Sequence, residues 1–246
     1  MSNIYEALQH ANYDLRSMEK LDIVQDSYVS ISSTKLQAPT MELEMIELHR
    51  QINLLLPDSP KMVLQFIGSH SGDGVSTIVR EYASMATERL GRSVLILDAN
   101  QGENDQKHCF HITNNFGWDQ AVCDPESQNK AVSQLGDSNL YVSSLSRKSS
   151  AIFPYFDPGQ LKNFFVGLRK SFDLVIIDSS SVSSSRDSTV LSQYVDGVLM
   201  VIEAEKTRGP VVENMKTKIK NSGGNILGLI LNKRRYYIPE FLYRRL

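Results

Sequence analysis

The chain has 246 residues, and its 26 Lys+Arg against 28 Asp+Glu give a formal net charge of −2. A composition of 41% apolar and 22% charged residues excludes wholesale disorder, and near-neutrality argues against a bulk nucleic-acid binder. The charge is uneven: Lys233, Arg234, Arg235, Arg244 and Arg245 against Glu240 alone make the segment from Lys233 to Leu246 +4, so everything before it sums to −6.

In chain order, Ile4, Leu8, Ala11, Leu15 and Met18 fall on one helical stripe, and Asn3 with Glu6 reads as a capping box. A helix is expected over residues 1–21. The start carries Glu6 and no basic segment, so it does not read as a secretory signal. Residues 22–40 lose the periodicity and fill with Ser, Thr, Gln and Asp as far as Pro39, which predicts a linker. From Glu42 to Leu56 a second helix presents Met45, Leu48, Ile52 and Leu55, closed by Pro57.

Beyond it, short apolar runs alternate with helical patterns. Strands are expected at Met62–Ile67, Ser93–Leu97, Leu140–Leu145, Asp173–Ile177, Val198–Ile202 and Ile226–Leu231. Helices are expected at Thr77–Leu90, Gly159–Lys170, Asp187–Tyr194 and Pro210–Asn221, with Gly91 and Gly223 as C-terminal stops. Ser-rich stretches at 143–150 and 179–185 read as loops between strands. This alternation predicts an α/β fold: a doubly wound, mostly parallel sheet with helices on both faces over residues 41–232, followed by a basic tail at 233–246. Cys109 and Cys123 form neither a CxxC pair nor a disulfide framework, and no run reaches the roughly 20 apolar residues of a membrane span, so a reduced, cytoplasmic setting is expected. His108, Cys109 and His111 lack further ligands nearby and read as a solvated loop.

Ligands of such sheets bind at the carboxyl ends of the strands. There the first core strand runs into Gly72, Asp73, Gly74, Val75, Ser76 and Thr77, opening a helix. Strand, glycine-bearing turn, then Ser-Thr is the layout of a phosphate-binding loop, in which backbone N–H groups and the helix dipole face an anion. A tight turn with an N-capping serine is the plainer reading. Two further strands end in acid, at Asp98 and at Asp178. Carboxylates at strand ends beside a phosphate loop are what a Mg²⁺–phosphate site needs, with Ser76 as the loop's contribution.

Together these segments resemble the bacterial tyrosine kinases (BY-kinases) of exopolysaccharide biosynthesis, a branch of the ParA/MinD-like P-loop ATPases. The resemblance runs from about Glu42 to the end. It implies an ATP or ADP site with Mg²⁺, in which Asp98 and Asp178 are the catalytic acids and Ser76, Asp98 and Asp178 hold the metal. It further implies that Asn232, in the run Gly-Leu-Ile-Leu-Asn, contacts adenine, and that Tyr236, Tyr237 and Tyr243 are phosphoacceptors. Glu47 and Arg50 resemble half of an ExxRxxR oligomerisation motif, which leaves a homo-oligomer open. The implied partner is a membrane polysaccharide co-polymerase (Wzz-like), and no nucleic acid.

The departures from the family pattern bear on catalysis. Val75 stands where the phosphate-gripping lysine is expected, Asn100 replaces a second Asp, and Ser179 to Ser181 replace Thr-Pro-Pro. Asn53 replaces the second Arg of ExxRxxR, and His70 takes the place of the extra ParA/MinD lysine. Removing one such charge-stabilising donor typically costs about 10²–10³ in rate. Arg80 and Arg186 are candidates for a compensating charge, with a solvated helix face as the plainer reading of Arg80. The expected function is a cytoplasmic regulatory partner with a degenerate nucleotide site and little phosphoryl transfer; the alternative is an active tyrosine autokinase. The tail, with Ile238, Phe241 and Leu242 among its cations, reads either as a helix packed on the body or as a basic segment meeting anionic lipid at the inner membrane face.

Overall fold

The computed structural model describes residues 41–100, 105–146, 156–185 and 188–234. The helix expected over 1–21, the linker at 22–40, Arg186, and the tail from Arg235 with Tyr236, Tyr237 and Tyr243 lie outside the described residues. Helix α1 (Met41–Leu55) leads into β1 (Met62–Gly68), α2 (Val75–Glu88) and β2 (Val94–Ala99). Short helices α3 (Asp105–Cys109) and α4 (Trp118–Cys123), a 3₁₀ turn at Pro125–Ala131, and strands β3 (Ser133–Gln134) and β4 (Leu140–Ser143) follow. Then come α5 (Pro158–Ser171), β5 (Leu174–Ser179), a 3₁₀ turn at Val190–Tyr194, β6 (Gly197–Glu203), α6 (Gly209–Asn221) and β7 (Ile226–Asn232).

All six expected strands are present. The sheet has the order β3-β4-β2-β5-β1-β6-β7, parallel throughout except for the two-residue β3, which pairs antiparallel with β4. Every residue of β1, β2 and β5 is buried, which explains why these segments read as continuous apolar runs rather than alternating ones. Along β1, alternate side chains still serve different layers. Met62, Leu64 and Phe66 pack with the stripe Ile78, Val79, Tyr82 and Met85 of α2 and with Met45 and Ile52 of α1. On the opposite face, Val63, Leu95, Val175 and Ile177 meet Trp118 of α4 and Leu161, Phe165 and Leu168 of α5. Helix α6 covers Ile67, Val198 and Met200 through Met215 and Ile219. The doubly wound, mostly parallel sheet with helices on both faces is therefore observed.

Helix boundaries follow local chemistry. The Asp157 carboxylate accepts hydrogen bonds from the N–H groups of Gly159 and Gln160, and Pro158 opens α5. Gly91 and Gly223, at φ of 64° and 79°, end α2 and α6 in the left-handed region. One expectation is corrected: the helix placed at Asp187–Tyr194 is a five-residue 3₁₀ turn at Val190–Tyr194, whose preceding Thr189 makes no side-chain cap. Helices α3 and α4 and strand β3 are too short for periodicity to reveal them.

The α1–α2 contact contains a buried polar pair. His49 Nδ1 lies 2.8 Å from the Tyr82 hydroxyl. Burial, then the positive charge of Arg92, holds the His49 imidazole below its usual range, and burial pushes the Tyr82 phenol up. A depressed folded-state pKa means that the unfolded chain takes up the proton first as pH falls through about 6.5, so this stabilisation is present above that pH and is lost on acidification. Thermal unfolding between pH 7.5 and 5.5 should therefore show a falling Tm in the wild type, and His49→Gln should flatten part of that slope.

Candidate functional site

The site is assembled where β1, β5 and β2 end together. Asp98 of β2 and Asp178 of β5 are register partners, and Asp178 also faces Phe66 of β1. Strand alternation puts both carboxylates on the sheet face covered by α2. Both are buried. Asp98 Oδ1 accepts the N–H of Asn100 at 3.0 Å, while Asp178 Oδ2 accepts Gln106 Nε2 at 2.7 Å. Gln106, fully buried on α3, also donates to the Ser76 carbonyl at 3.2 Å, so its amide ties the end of β5 to the first turn of α2.

The loop between Gly68 and α2 is closed from inside. Asp73 is buried, and its Oδ2 accepts from the N–H groups of Ser69 and His70, each at 2.8 Å, and from the Ser69 hydroxyl at 2.7 Å. Its carboxylate thus faces the loop interior. Gly72 and Gly74, at φ of 89° and 93°, provide the left-handed turns that this wrapping requires. Gly74 caps α2 without a side-chain hydrogen bond, so the first-turn amides keep the electropositive character of a bare helix end. Val75 is turned the other way. It is 9% exposed, belongs to the core beneath α2, and places Cγ2 2.9 Å from where a Cβ on Gly68 would sit. Ser76 is half-buried and Thr77 exposed, its hydroxyl accepting Arg80 Nη2 at 3.3 Å. Arg80 also reaches Gln106 Oε1 at 3.5 Å, so the compensating-charge candidate is half-buried and engaged with the site's polar residues rather than on a solvated face.

Asn232, at the end of β7, joins the loop directly. Its Nδ2 donates to the Asp73 carbonyl at 2.8 Å and would lie 2.1 Å from a Cβ on Gly74. Lys233 follows with Nζ 2.6 Å from the Gly72 carbonyl. Neither Gln106 nor this position of Lys233 emerged from the motifs. Gln106 lies in a five-residue helix with no pattern of its own, and Lys233 belongs by composition to the basic tail although it adjoins Asn232. The structure thus brings together Gly72, Asp73, Gly74, Val75, Ser76, Thr77 and Asn232 at the loop, with Asp98 and Asp178 at the strand ends beneath it.

The donor set suits two groups unequally. The uncapped start of α2 with its two left-handed glycines fits a phosphate. Ser76, Asp98 and Asp178 offer the hard oxygens Mg²⁺ prefers, although Asp178 is already held by Gln106. Two substituted positions are bonded to each other: the Ser180 hydroxyl donates to Asn100 Oδ1 at 3.2 Å. On α1, Arg50 makes a two-pronged pair with Glu47 of its own helix, at 2.8 and 2.7 Å, which holds the Glu47 carboxyl down at about 2.

Because Gln106 satisfies a buried carboxylate and a helix-turn carbonyl at once, Gln106→Leu should destabilise the fold by about 1–3 kcal/mol. Urea unfolding should show a lower midpoint with an unchanged slope.

No protein-family model matches the chain. In sequence it is 24% identical over 188 residues to the tyrosine-protein kinase CpsD of Streptococcus agalactiae serotype III, spanning 74% of this chain and 78% of that one. In structure it matches the kinase domain of the Escherichia coli tyrosine kinase ETK with a TM-score of 0.74 at 17% identity, over 91% of this chain and 89% of that one. The septum site-determining protein MinD of Pyrococcus horikoshii, solved with Mg-ADP, matches at a TM-score of 0.56 and 18% identity, over 75% of this chain and 76% of that one. Sequence similarity runs to bacterial tyrosine kinases, and the fold is that of the P-loop ATPases to which those kinase domains and MinD conform.

Proposed function

We propose that the chain is a tyrosine-kinase-like P-loop protein of capsule or exopolysaccharide biosynthesis that works by binding, as a cytoplasmic regulatory partner of a membrane polysaccharide co-polymerase, with little phosphoryl transfer of its own. The likeness to a tyrosine-protein kinase supports the kinase-like reading, and the family resemblance implies the pathway. The observation that carries the reading is Val75, which occupies the position of the phosphate-gripping lysine and is packed into the core.

Nucleotide and Mg²⁺ would be held by what remains of the site. The amides at the start of α2 would take the phosphates, and Ser76, Asp98 and Asp178 would hold the metal. When bound, Mg²⁺ supplies charge neutralisation between phosphates. The chain's own residues then orient and enclose rather than drive transfer. Val75 offers no N–H toward a moving phosphoryl group from its side chain, and a single lost donor of this kind costs about 10²–10³ in rate. Asn100 offers an amide in place of a second carboxylate, and that amide is engaged by Ser180. No described helix is long and apolar enough to cross a membrane.

Incubating the purified chain with Mg-ATP and mapping Tyr236, Tyr237 and Tyr243 by mass spectrometry tests the proposal. The wild type should stay unmodified, and Val75→Lys should gain phosphate on those tyrosines. Strong wild-type autophosphorylation that disappears in Asp98→Ala and Asp178→Ala would instead establish the active autokinase.

A further inference from the structure

We propose that Lys233 is the cation of the phosphate loop, delivered from the end of β7 in place of the lysine missing at position 75. The inference rests on reading the loop as a phosphate site and names the residue that supplies its charge. Removing the lysine from the start of α2 leaves amides and a helix dipole facing the anion, a fractional charge where a full one is expected. The described cations near the loop can be compared by what holds them. Arg80 lies one turn into α2, with its two guanidinium nitrogens directed at Thr77 Oγ1 and Gln106 Oε1. Lys206 is committed to Glu203 at 2.9 Å. Lys233 alone among these three places its charged atom on the loop itself, 2.6 Å from the Gly72 carbonyl.

The placement of Lys233 is built rather than incidental. Asn232 and Lys233 bond two consecutive loop carbonyls, those of Asp73 and Gly72. The lysine stem runs across Gly74, with Cε 4.0 Å from where a Cβ would project. Its backbone sits at a φ of 56°, a left-handed conformation that is unfavourable for a residue with a Cβ. The Asn232 side chain supports it by accepting the Lys233 N–H at 2.9 Å. A strained non-glycine residue, fixed by its neighbour and laid against a glycine loop, is the kind of outlier that accompanies a functional constraint.

Its charge is only partly neutralised. Among the described residues its ion-pair partner is Glu203, 3.5 Å away, and Glu203 is shared with the nearer Lys206. An ammonium carries three donors, so one can stay on Gly72 and another on Glu203 while a third is directed at a phosphate oxygen. Four methylenes give the head freedom to move from the loop's crest toward an anion seated on the amides, without movement of β7.

Calorimetric titration of ADP, ATP and inorganic pyrophosphate in Mg²⁺ tests the assignment on the wild type, Lys233→Met, Lys233→Arg and the double variant Val75→Lys with Lys233→Met. Thermal melting of each confirms that it is folded. Lys233→Met should weaken all three ligands by about ten- to a hundredfold, the scale of a hydrogen bond to a charged group. Lys233→Arg should retain most of the affinity, and adding Val75→Lys should restore what Lys233→Met loses. A lysine that merely propped the loop would not be replaced by a charge at position 75. Unchanged affinity in Lys233→Met overturns the assignment while leaving the phosphate site standing. Absence of wild-type binding to all three ligands overturns both.

Discussion

The parallel register of β2, β5 and β1 is the constraint on which the rest depends. These three strands are buried on both faces, so their backbone hydrogen bonds are met within the sheet, by one another and by the flanking β4 and β6, and their relative position cannot slip without turning whole rows of side chains to the wrong layer. That register sets Asp98 beside Asp178 and Asp178 beside Phe66, just before the strands give way to loops. Even the buried polar residue in mid-strand belongs to the same system. Gln65 donates to Ser179 Oγ and to the Ser188 carbonyl and accepts from Ser192 Oγ, fastening the segment that follows β5 to the middle of β1. Loop positions above the sheet are thus dictated from below.

A second level of order lies within the loop. A glycine-rich loop that presents several amides to one point needs something to keep them converged. Here the Asp73 carboxylate collects the amides of Ser69 and His70 on one side, and Asn232 fixes the Asp73 carbonyl on the other. The amides at the start of α2 remain for an incoming group. The loop thus holds its own internal anion, the Asp73 carboxylate, apart from the amides proposed as the phosphate site.

How far this was legible in the sequence varies with the kind of signal. Strands such as Met62–Gly68 and Leu174–Ser179 announce themselves because burial on two faces demands unbroken apolar runs. The loop announces itself because Gly72 and Gly74 must adopt positive φ just before Ser76 and Thr77. What stayed hidden depends on distance along the chain. Gln106 meets Asp178 across 72 positions, and Lys233 meets Gly72 across 161, and neither pairing leaves a local trace. The short elements α3, α4 and β3 were missed for a different reason: they are held by what surrounds them, as when the Trp118 indole donates to the Asp98 carbonyl, and not by any pattern of their own.

Val75 also bears on how the site is packed. Its side chain has entered the apolar layer, against Gly68 and beneath α2, and burying a valine contributes on the order of 1.5 kcal/mol. A charged head at that position would have to leave this layer and take only its methylene stem along the surface. A lysine placed here would therefore give up packing whatever its charge did, so folding by itself favours a neutral side chain at position 75.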